Sequence, residues 1–269
     1  MKELSGKVAL VTGASKGIGR AYVQALADAG AIAVGIARTM GAPTPGSEPA
    51  KNTLAEVMRS VAARGGKAHA IACDIEEESE IKRAIDEIVG NFGRIDVVVN
   101  NAGMFPHYET LDITVAEWKQ NLNVNLLAPY LVTRHAARHM IKQRSGSVIN
   151  LTSAVAKEAA FNSPGHNGLM PYYVTKAALN RLTTFFAEEF RQYNIAVNAL
   201  SPGVVLTETF VTVAPTDAAN FDKQGIAKQP TPDKLGPALI YLAQQTAETM
   251  TGQIVHTDEF GKSWPKAAA

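Results

Sequence analysis

Short apolar runs alternate along the chain with segments whose apolar residues recur every three or four positions. The first run, Val8–Val11, is apolar at every position, which is typical of a strand buried on both faces. A helical face follows and ends at Gly30; it carries Ile18, Tyr22, Ala25, Leu26 and Ala29. The pattern predicts a strand and then an amphipathic helix.

The same alternation continues to the end of the chain. A second helical face carries Ile81, Ile85, Ile88, Val89 and Phe92, and further strands are predicted at Ile32–Ala37, Ala68–Cys73, Val97–Val99, Val148–Leu151, Ile195–Leu200 and Ile254–His256. Strands that alternate with helices favour a parallel sheet with helices on both faces. There is no internal repeat, and 269 residues fit one α/β domain. The sequence therefore predicts a single-domain, doubly wound α/β fold over residues 1–269.

One predicted helix, Val115–Met140, is apolar around most of its circumference, at Trp118, Leu122, Val124, Leu126, Leu127, Tyr130, Leu131 and Val132. A helix that is apolar all round is buried, and one packed on a sheet still has a second side to cover. The simplest cover is the same helix from another copy of the chain, in a two-fold interface. We therefore expect a homo-oligomer.

Two segments interrupt the alternation. Met40–Ala50 contains three prolines and two glycines, so it cannot continue a helix and is predicted to be an exposed inserted loop. Val204–Pro232 is longer than a typical connection, and loops of that length in compact domains are often active-site lids. We expect it to be a substrate loop.

Composition excludes several classes of protein. The net charge is +1 with no basic patch, which argues against a nucleic-acid partner. No run approaches the roughly 18 apolar residues of a membrane span. The N-terminus leads straight into a strand, so a signal peptide is not expected. A single cysteine, Cys73, suits a reducing compartment, and no closely spaced Cys, His or Asp cluster predicts a metal site. We expect a cytoplasmic protein without a metal.

A glycine loop, Gly13-x-x-x-Gly17-x-Gly19, lies directly between the first strand and the first helix. Glycines let the backbone turn sharply and approach a ligand closely, and a helix N-terminus offers free N–H groups to a phosphate. A plain strand–helix turn would explain the glycines as well. With the surrounding strand and helix, the spacing favours a dinucleotide pyrophosphate bound by Gly13, Ser15, Lys16, Gly17, Ile18 and Gly19.

The end of the second strand predicts which dinucleotide binds. An acidic residue there would bind the ribose 2′-OH of NAD, but the chain has Arg38 and no acid. Arg38 can bind a 2′-phosphate through its planar guanidinium, with Lys16 adding charge. Alternatively, Arg38 is a solvated surface residue. We expect NADP, with NAD the less favoured cofactor.

A second chemical pattern is Tyr172-x-x-x-Lys176, at the start of a helical stripe that continues through Leu179, Thr183, Phe186 and Phe190. Residues four apart lie one turn apart on the same helix face. A nearby ammonium lowers the pKa of a phenol towards neutrality, so that proton transfer becomes reversible. Tyr173 lies three residues before Lys176 and can share its face, so spacing alone leaves the choice of tyrosine open.

Four signals stand in order: the glycine loop, the turn Asn100-Asn101-Ala102-Gly103, Ser153, and the tyrosine–lysine pair. On these residues the chain resembles the short-chain dehydrogenase/reductase family, from about Leu4 to about Asp258. The resemblance implies a Rossmann-type fold and an oxidoreductase that interconverts a ketone and a secondary alcohol. It selects Tyr172 as the acid/base, because the family motif has three residues between tyrosine and lysine.

The resemblance also implies the remaining roles. Ser153 would hydrogen-bond the substrate oxygen, although it could simply cap the next segment. Asn125 would support a proton relay through water behind Lys176, and as a helix-interior polar residue it would bond to backbone in either case. The cofactor would contact Tyr172, Lys176, Asp74, Ile75, Asn101, Ala102, Gly103, Pro202, Gly203, Val205 and Thr207. Asp74 also suits capping of the next helix, and the Asn–Gly turn suits positive φ angles.

The chain departs from the family pattern in two places. The gap before Tyr172 is long, and Ala159–Met170 carries the extra residues. In place of a glycine pair after Asp258, the tail Phe260–Pro265 follows, and a second interface there would give a tetramer. Two other functions stay open: a dehydratase or epimerase on the same fold, and a non-catalytic dinucleotide sensor or scaffold. The sequence does not name the substrate.

Overall fold

Seven parallel strands form one sheet, as the apolar runs predict. A computed structural model describes residues 2–41, 51–106, 109–156, 168–208 and 231–265. In this part the strands are β1 Val8–Thr12, β2 Ile32–Ala37, β3 Lys67–Ala72, β4 Val97–Asn100, β5 Gly146–Leu151, β6 Ile195–Ser201 and β7 Ile254–His256. Their order is β3-β2-β1-β4-β5-β6-β7. The order reverses between β1 and β4, which is where open α/β sheets bind ligands.

Helices cover both faces of this sheet: α1 Gly17–Asp28, α2 Leu54–Ala63, α3 Glu78–Phe92, α4 Val115–Leu122, α5 Ala128–Gln143, α6 Met170–Phe190 and α7 Gly236–Ala243. Buried side chains of α1, α2 and α7 join one core, and those of α3, α5 and α6 join the other. Strand residues alternate between the two cores: Val97 and Val99 lie in the first, Val98 in the second. The predicted doubly wound, Rossmann-type α/β fold is confirmed.

The predicted helix Val115–Met140 is not one regular α-helix. A π-helical stretch, Asn123–Leu127, separates α4 from α5. Pro129 has no N–H to donate to the carbonyl of Asn125, so the regular hydrogen bond of an α-helix cannot form there. The wider turn places Asn125 in the interior, where its side chain is fully buried.

Helix α2 is absent from the sequence prediction. It follows Thr53, whose Oγ1 accepts a hydrogen bond from the Glu56 backbone N–H. Its apolar residues Leu54, Val57 and Val61 repeat at helical spacing and are fully buried. The signal was therefore present, but it follows directly on the proline-rich segment and is only ten residues long.

The C-terminal tail packs against its own chain. Phe260 and Trp264 form an isolated β-bridge, and both rings contact Tyr241 on α7. Trp264 is buried, and its Nε1 donates to the His256 carbonyl at 2.7 Å. The Trp264 ring thus fills the core of this chain and is not an exposed contact for a second copy.

Most residues of the two predicted loops, Met40–Ala50 and Val204–Pro232, and of the insertion Ala159–Met170 lie outside the described ranges. The described edges include Val204 to Glu208, which leave the end of β6 towards α1. Among the helices that the structure describes, none is both long and apolar enough to cross a membrane.

Candidate active site

A cavity of about 450 Å³ lies at the carboxyl ends of β1, β2, β3 and β4. The structure brings predicted cofactor residues from five separate segments to its wall: Gly13, Ser15, Lys16, Gly17, Ile18, Gly19, Arg38, Asp74, Ile75, Asn101, Ala102, Gly103 and Thr207. The size lies within the range of ligand cavities. The site is therefore at the strand ends flanking the point where the sheet order reverses.

The glycines of the loop serve two different purposes. A Cβ on Gly13 would lie 2.9 Å from Ala102 Cα, and one on Gly19 would collide with the Gly13 carbonyl. These two glycines let the loop pack on itself and on the turn after β4. Gly17, with φ of +54°, lies at the start of α1, and a Cβ there would meet no atom nearer than Thr207 at 3.4 Å. Gly17 is thus required here for its positive φ rather than for space, and it is buried at the turn into α1.

Asn101 and Thr12 lock the turn after β4 to the glycine loop. Asn101 Nδ2 donates to the Thr12 carbonyl at 2.8 Å, and Thr12 Oγ1 accepts the N–H groups of Asn101 and Ala102 at 3.1 and 2.9 Å. The sequence prediction did not assign a role to Thr12, although it is the last residue of β1 and directly precedes Gly13. The two walls of the cavity are thereby held at a fixed separation.

The residues of the cavity fit a dinucleotide. The Lys16 side chain makes no capping bond to α1, and the first turn of α1 contains no acidic residue of its own. Lys16 and Arg38 bring two cations to the wall, and Arg38 is exposed. Asp74 Oδ1 accepts the Glu76 N–H at 3.1 Å in the turn before α3, and it does not cap that helix, which begins at Glu78. A pyrophosphate would meet the start of α1, and a 2′-phosphate would meet Arg38.

Beside this cavity, the start of α6 meets the end of β5. The Ser153 side chain hydrogen-bonds the Tyr172 hydroxyl. Lys176 is 4% exposed, and its Nζ donates to the Leu151 carbonyl at 2.7 Å and lies 5.6 Å from the centre of the Tyr172 ring. Tyr172, the tyrosine that the family motif selects, is thus in contact with Ser153.

Burial governs the ionisation of both groups. It lowers the pKa of Lys176 to about 8. It also raises the pKa of Tyr172 above the ordinary value, against the hydrogen bond from Ser153, which lowers it. The sequence argument expected the ammonium to lower the pKa of the phenol. That expectation is wrong for this geometry, because removal of the phenolate from water is the larger effect.

Asn125 joins the turn after β4 to α6. Its Oδ1 accepts the Met104 N–H at 2.9 Å, and its Nδ2 donates to the Met104 carbonyl at 2.8 Å and to Thr175 Oγ1 at 3.2 Å. A Cβ on Gly103 would lie 3.3 Å from Asn125 Oδ1 and 3.7 Å from Lys176 Nζ. Gly103 therefore leaves room for the asparagine and the lysine to approach the same point.

Comparison with known proteins identifies the family to which this chain belongs. The family model described as short chain dehydrogenase matches residues 7–218. The chain belongs to the short-chain dehydrogenase/reductase family. It is 32% identical over 257 residues to the 3-oxoacyl-(acyl-carrier-protein) reductase of Aquifex aeolicus, an alignment that covers 95% of this chain and 97% of that protein.

Solved structures of the short-chain dehydrogenase/reductase family agree with the fold. A short-chain type dehydrogenase/reductase from Mycobacterium marinum is 32% identical with a TM-score of 0.82, and the match covers 94% of each chain. A putative NAD(P)-dependent gluconate 5-dehydrogenase from Beutenbergia cavernae, with bound NADP at low occupancy, is 29% identical with a TM-score of 0.80. That match covers 94% of this chain and 96% of the other.

Not every residue predicted from the family pattern lies at the cavity wall of this short-chain dehydrogenase. Val205 is 5% exposed and packs in the core. Pro202, Gly203, Tyr172 and Lys176 are not among the lining residues. Conversely, Phe105 lines the cavity and its ring lies 5.9 Å from that of Tyr172. Its position two residues after Gly103 is the sequence signal for this placement. Among the described residues, no group of three or more Cys, His, Asp or Glu could hold a metal ion.

Proposed function

We propose that this protein is an NADP(H)-dependent oxidoreductase that interconverts a ketone and a secondary alcohol. The observation that carries the proposal is the contact of Ser153 with the Tyr172 hydroxyl above a buried Lys176, beside a cavity that fits a dinucleotide. When bound, the reduced nicotinamide supplies the hydride that reaches the carbonyl carbon. The protein residues supply binding, orientation and the proton.

Tyr172 is the proton donor in the reducing direction. Because burial raises its pKa, its hydroxyl is protonated at neutral pH and can give its proton to the developing alkoxide. The Ser153 hydroxyl holds the carbonyl oxygen beside the phenol. Lys176 stabilises the phenolate that remains, and Asn125, beside the same point, supports the relay that returns a proton to it. The reverse sequence oxidises the alcohol.

NADP rather than NAD is supported by charge at the far end of the cavity. The residues after β2 are Arg38 and Thr39, with no acid to bind a free ribose 2′-OH. Arg38 and Lys16 both line this end, and two cations favour a 2′-phosphate. The presence of NADP in the structure from Beutenbergia cavernae agrees with this choice.

The substrate is expected to present an apolar group to Tyr172. The ring of Phe105 packs near the tyrosine, and Met104 lines the cavity beside it. A ketone with a flat or aliphatic substituent would bury apolar surface against this wall. The name of the relative from Aquifex aeolicus, a 3-oxoacyl reductase, supports a ketone as the reacting group.

A homo-oligomer is supported by an apolar groove between the α4–π–α5 helix and α6. Its walls include Leu122, Leu126, Leu127, Tyr130, Leu182 and Phe185. Leu127 and Phe185 are 45% and 62% exposed, whereas the neighbouring Leu131 and Val132 are buried within the chain. The side of the helix that the sheet does not cover is thus the side expected to pair with a second copy.

The experiment that tests the function is a screen of NADPH oxidation against a panel of ketones, diketones and 3-oxoacyl thioesters. NADPH consumption that depends on the carbonyl compound supports the proposal. Binding of NADPH without consumption across the panel would favour the sensor or scaffold. A product that retains the oxidation state of its substrate would favour a dehydratase or epimerase.

A further inference from the structure

The carboxylate of Glu208 lies at the start of α1, where the glycine loop ends. It forms an ion pair with Arg20 and accepts a hydrogen bond from the backbone N–H of Gly17. A Cβ on Gly17 would lie 3.8 Å from Glu208 Oε2. Glu208 follows Thr207, a wall residue of the cavity, so its position is set by the segment that leaves β6.

The Glu208 carboxylate therefore lies at the helix end where the proposed function requires the cofactor pyrophosphate, which is also an anion. The N-terminus of a helix attracts negative charge through its free N–H groups. Helix α1 has no acidic residue in its own first turn and no cap from Lys16, so the carboxylate reaches it from a segment far along the chain. A pyrophosphate bound at this end of the cavity would compete for the same donors.

Glu208 is ionised at neutral pH. Burial opposes its ionisation, but hydrogen bonds from backbone N–H groups and the charge of Arg20 outweigh burial and hold the pKa of the carboxyl below its ordinary value. The repulsion between this carboxylate and a phosphate is therefore present under ordinary assay conditions. Because the Glu208 side chain is partly exposed, this repulsion should weaken as the salt concentration rises.

Arg20 carries a positive charge and would attract a phosphate, whereas Glu208 would repel it. Arg20 lies three residues after Gly17, one turn into α1, and its Nη1 also lies 3.5 Å from Asn52 Oδ1 on the cavity wall. Its side chain is 28% exposed, and that of Glu208 is 41% exposed, so neither is fixed by deep burial. If Glu208 leaves, the guanidinium becomes available to an incoming phosphate.

We propose that Glu208 competes with the cofactor pyrophosphate for the N-terminus of α1 and for Arg20, and so lowers the affinity of the protein for the dinucleotide. The inference rests on the proposed function, because it assumes a dinucleotide in this cavity. Glu208 then acts as an affinity-setting residue, and Arg20 is the group that is exchanged between carboxylate and phosphate.

The two partners of the ion pair should have opposite effects on binding. Glu208→Gln removes the competing charge and frees Arg20, so the Kd for NADPH should fall about 3- to 30-fold at low salt. Arg20→Gln removes a cation and leaves the carboxylate uncompensated, so the Kd should rise by a similar factor. Both differences should shrink in about 1 M salt. A purely structural ion pair would make both variants bind more weakly.

The test is a titration of wild type, Glu208→Gln and Arg20→Gln with NADPH, followed by nucleotide fluorescence. Asp86→Asn is the matched control, because Asp86 forms an exposed ion pair with Lys82 on α3, which packs on the opposite face of the sheet from α1. The control should bind like wild type. Tighter binding by Glu208→Gln together with weaker binding by Arg20→Gln supports the competition.

If Glu208→Gln binds NADPH as wild type does, or more weakly, the proposed competition between Glu208 and the pyrophosphate is overturned. The titration also separates this inference from the proposed function. If wild type binds NADPH but reduces no ketone, the proposed reaction fails while the comparison of Kd values still decides the role of Glu208. If wild type binds neither NADPH nor NADH, both proposals are overturned together.

Discussion

Replacing Lys176 with methionine should separate the stability of this protein from its activity. Lys176 is 4% exposed, so its ammonium is largely removed from water, and its Nζ donates to the Leu151 carbonyl. Burial disfavours the charged ammonium and lowers its pKa from 10.5 to about 8. Methionine has a similar length and no charge, so Lys176→Met removes the cost of burying the ammonium and should abolish turnover.

The size of the effect follows from the pKa. A fall from 10.5 to about 8 corresponds to about 3 kcal/mol of unfolding free energy, which the protein loses while Lys176 is charged. Between pH 8 and 10.5 the unfolded chain binds more protons than the folded protein, so this cost is complete below about pH 8 and disappears as the pH rises. As the pH rises from about 7 to about 10, the free energy of unfolding of wild type should therefore increase by about 2–3 kcal/mol relative to that of Lys176→Met.

Urea unfolding of both proteins at several pH values measures this difference. Titration of the other lysines and tyrosines cancels, because both proteins contain them. A second comparison in a Tyr172→Phe background removes the neighbouring phenol from the titration. At about pH 7 the two proteins should differ little, since the variant leaves the Leu151 carbonyl unpaired at a cost of about 1–3 kcal/mol. A difference in stability that does not change with pH would refute the reasoning.

Three further predictions concern the chemistry, the cofactor and the assembly. Tyr172→Phe should lower turnover by at least ~10²-fold while NADPH still binds, and Tyr173→Phe should remain active. An active Tyr172→Phe together with an inactive Tyr173→Phe would show that Tyr173 is the acid. Arg38→Ala should reduce the preference for NADPH over NADH by roughly 10- to 100-fold, as expected for the loss of a charge-assisted bond of about 1.5–3 kcal/mol; a wild type that prefers NADH contradicts it. In sedimentation, wild type should run as a dimer or tetramer and Phe185→Asp as a smaller species. A wild-type species at the chain mass of 28.6 kDa would exclude the interface.

The fold followed from the sequence because the central strands β1, β4, β5 and β6 are buried on both faces. Such a strand must be apolar along its length, so runs such as Val97–Val99 identify it without knowledge of the neighbours. The π-helical turn at Asn125 was missed because a helical stripe of apolar residues hides it. Pro129, four residues later, was the only local sign.

The sequence did not predict those features of the site that depend on contacts between residues far apart along the chain. The spacing of Tyr172 and Lys176 gave their common helix face, but the contact with Ser153 depends on how α6 packs on β5. The direction of the Tyr172 pKa was wrong because burial cannot be read from spacing. The ion pair of Arg20 with Glu208 joins residues that no local pattern relates.

The most direct test of the proposed function is isotopic. Reduction of a ketone with NADPH that carries deuterium at the transferable position of nicotinamide C4 shows where the hydride goes. The account predicts a secondary alcohol with one deuterium on the carbinol carbon, formed by wild type and not by Tyr172→Phe. An alcohol without deuterium, or a product formed while the labelled NADPH stays reduced, would contradict it.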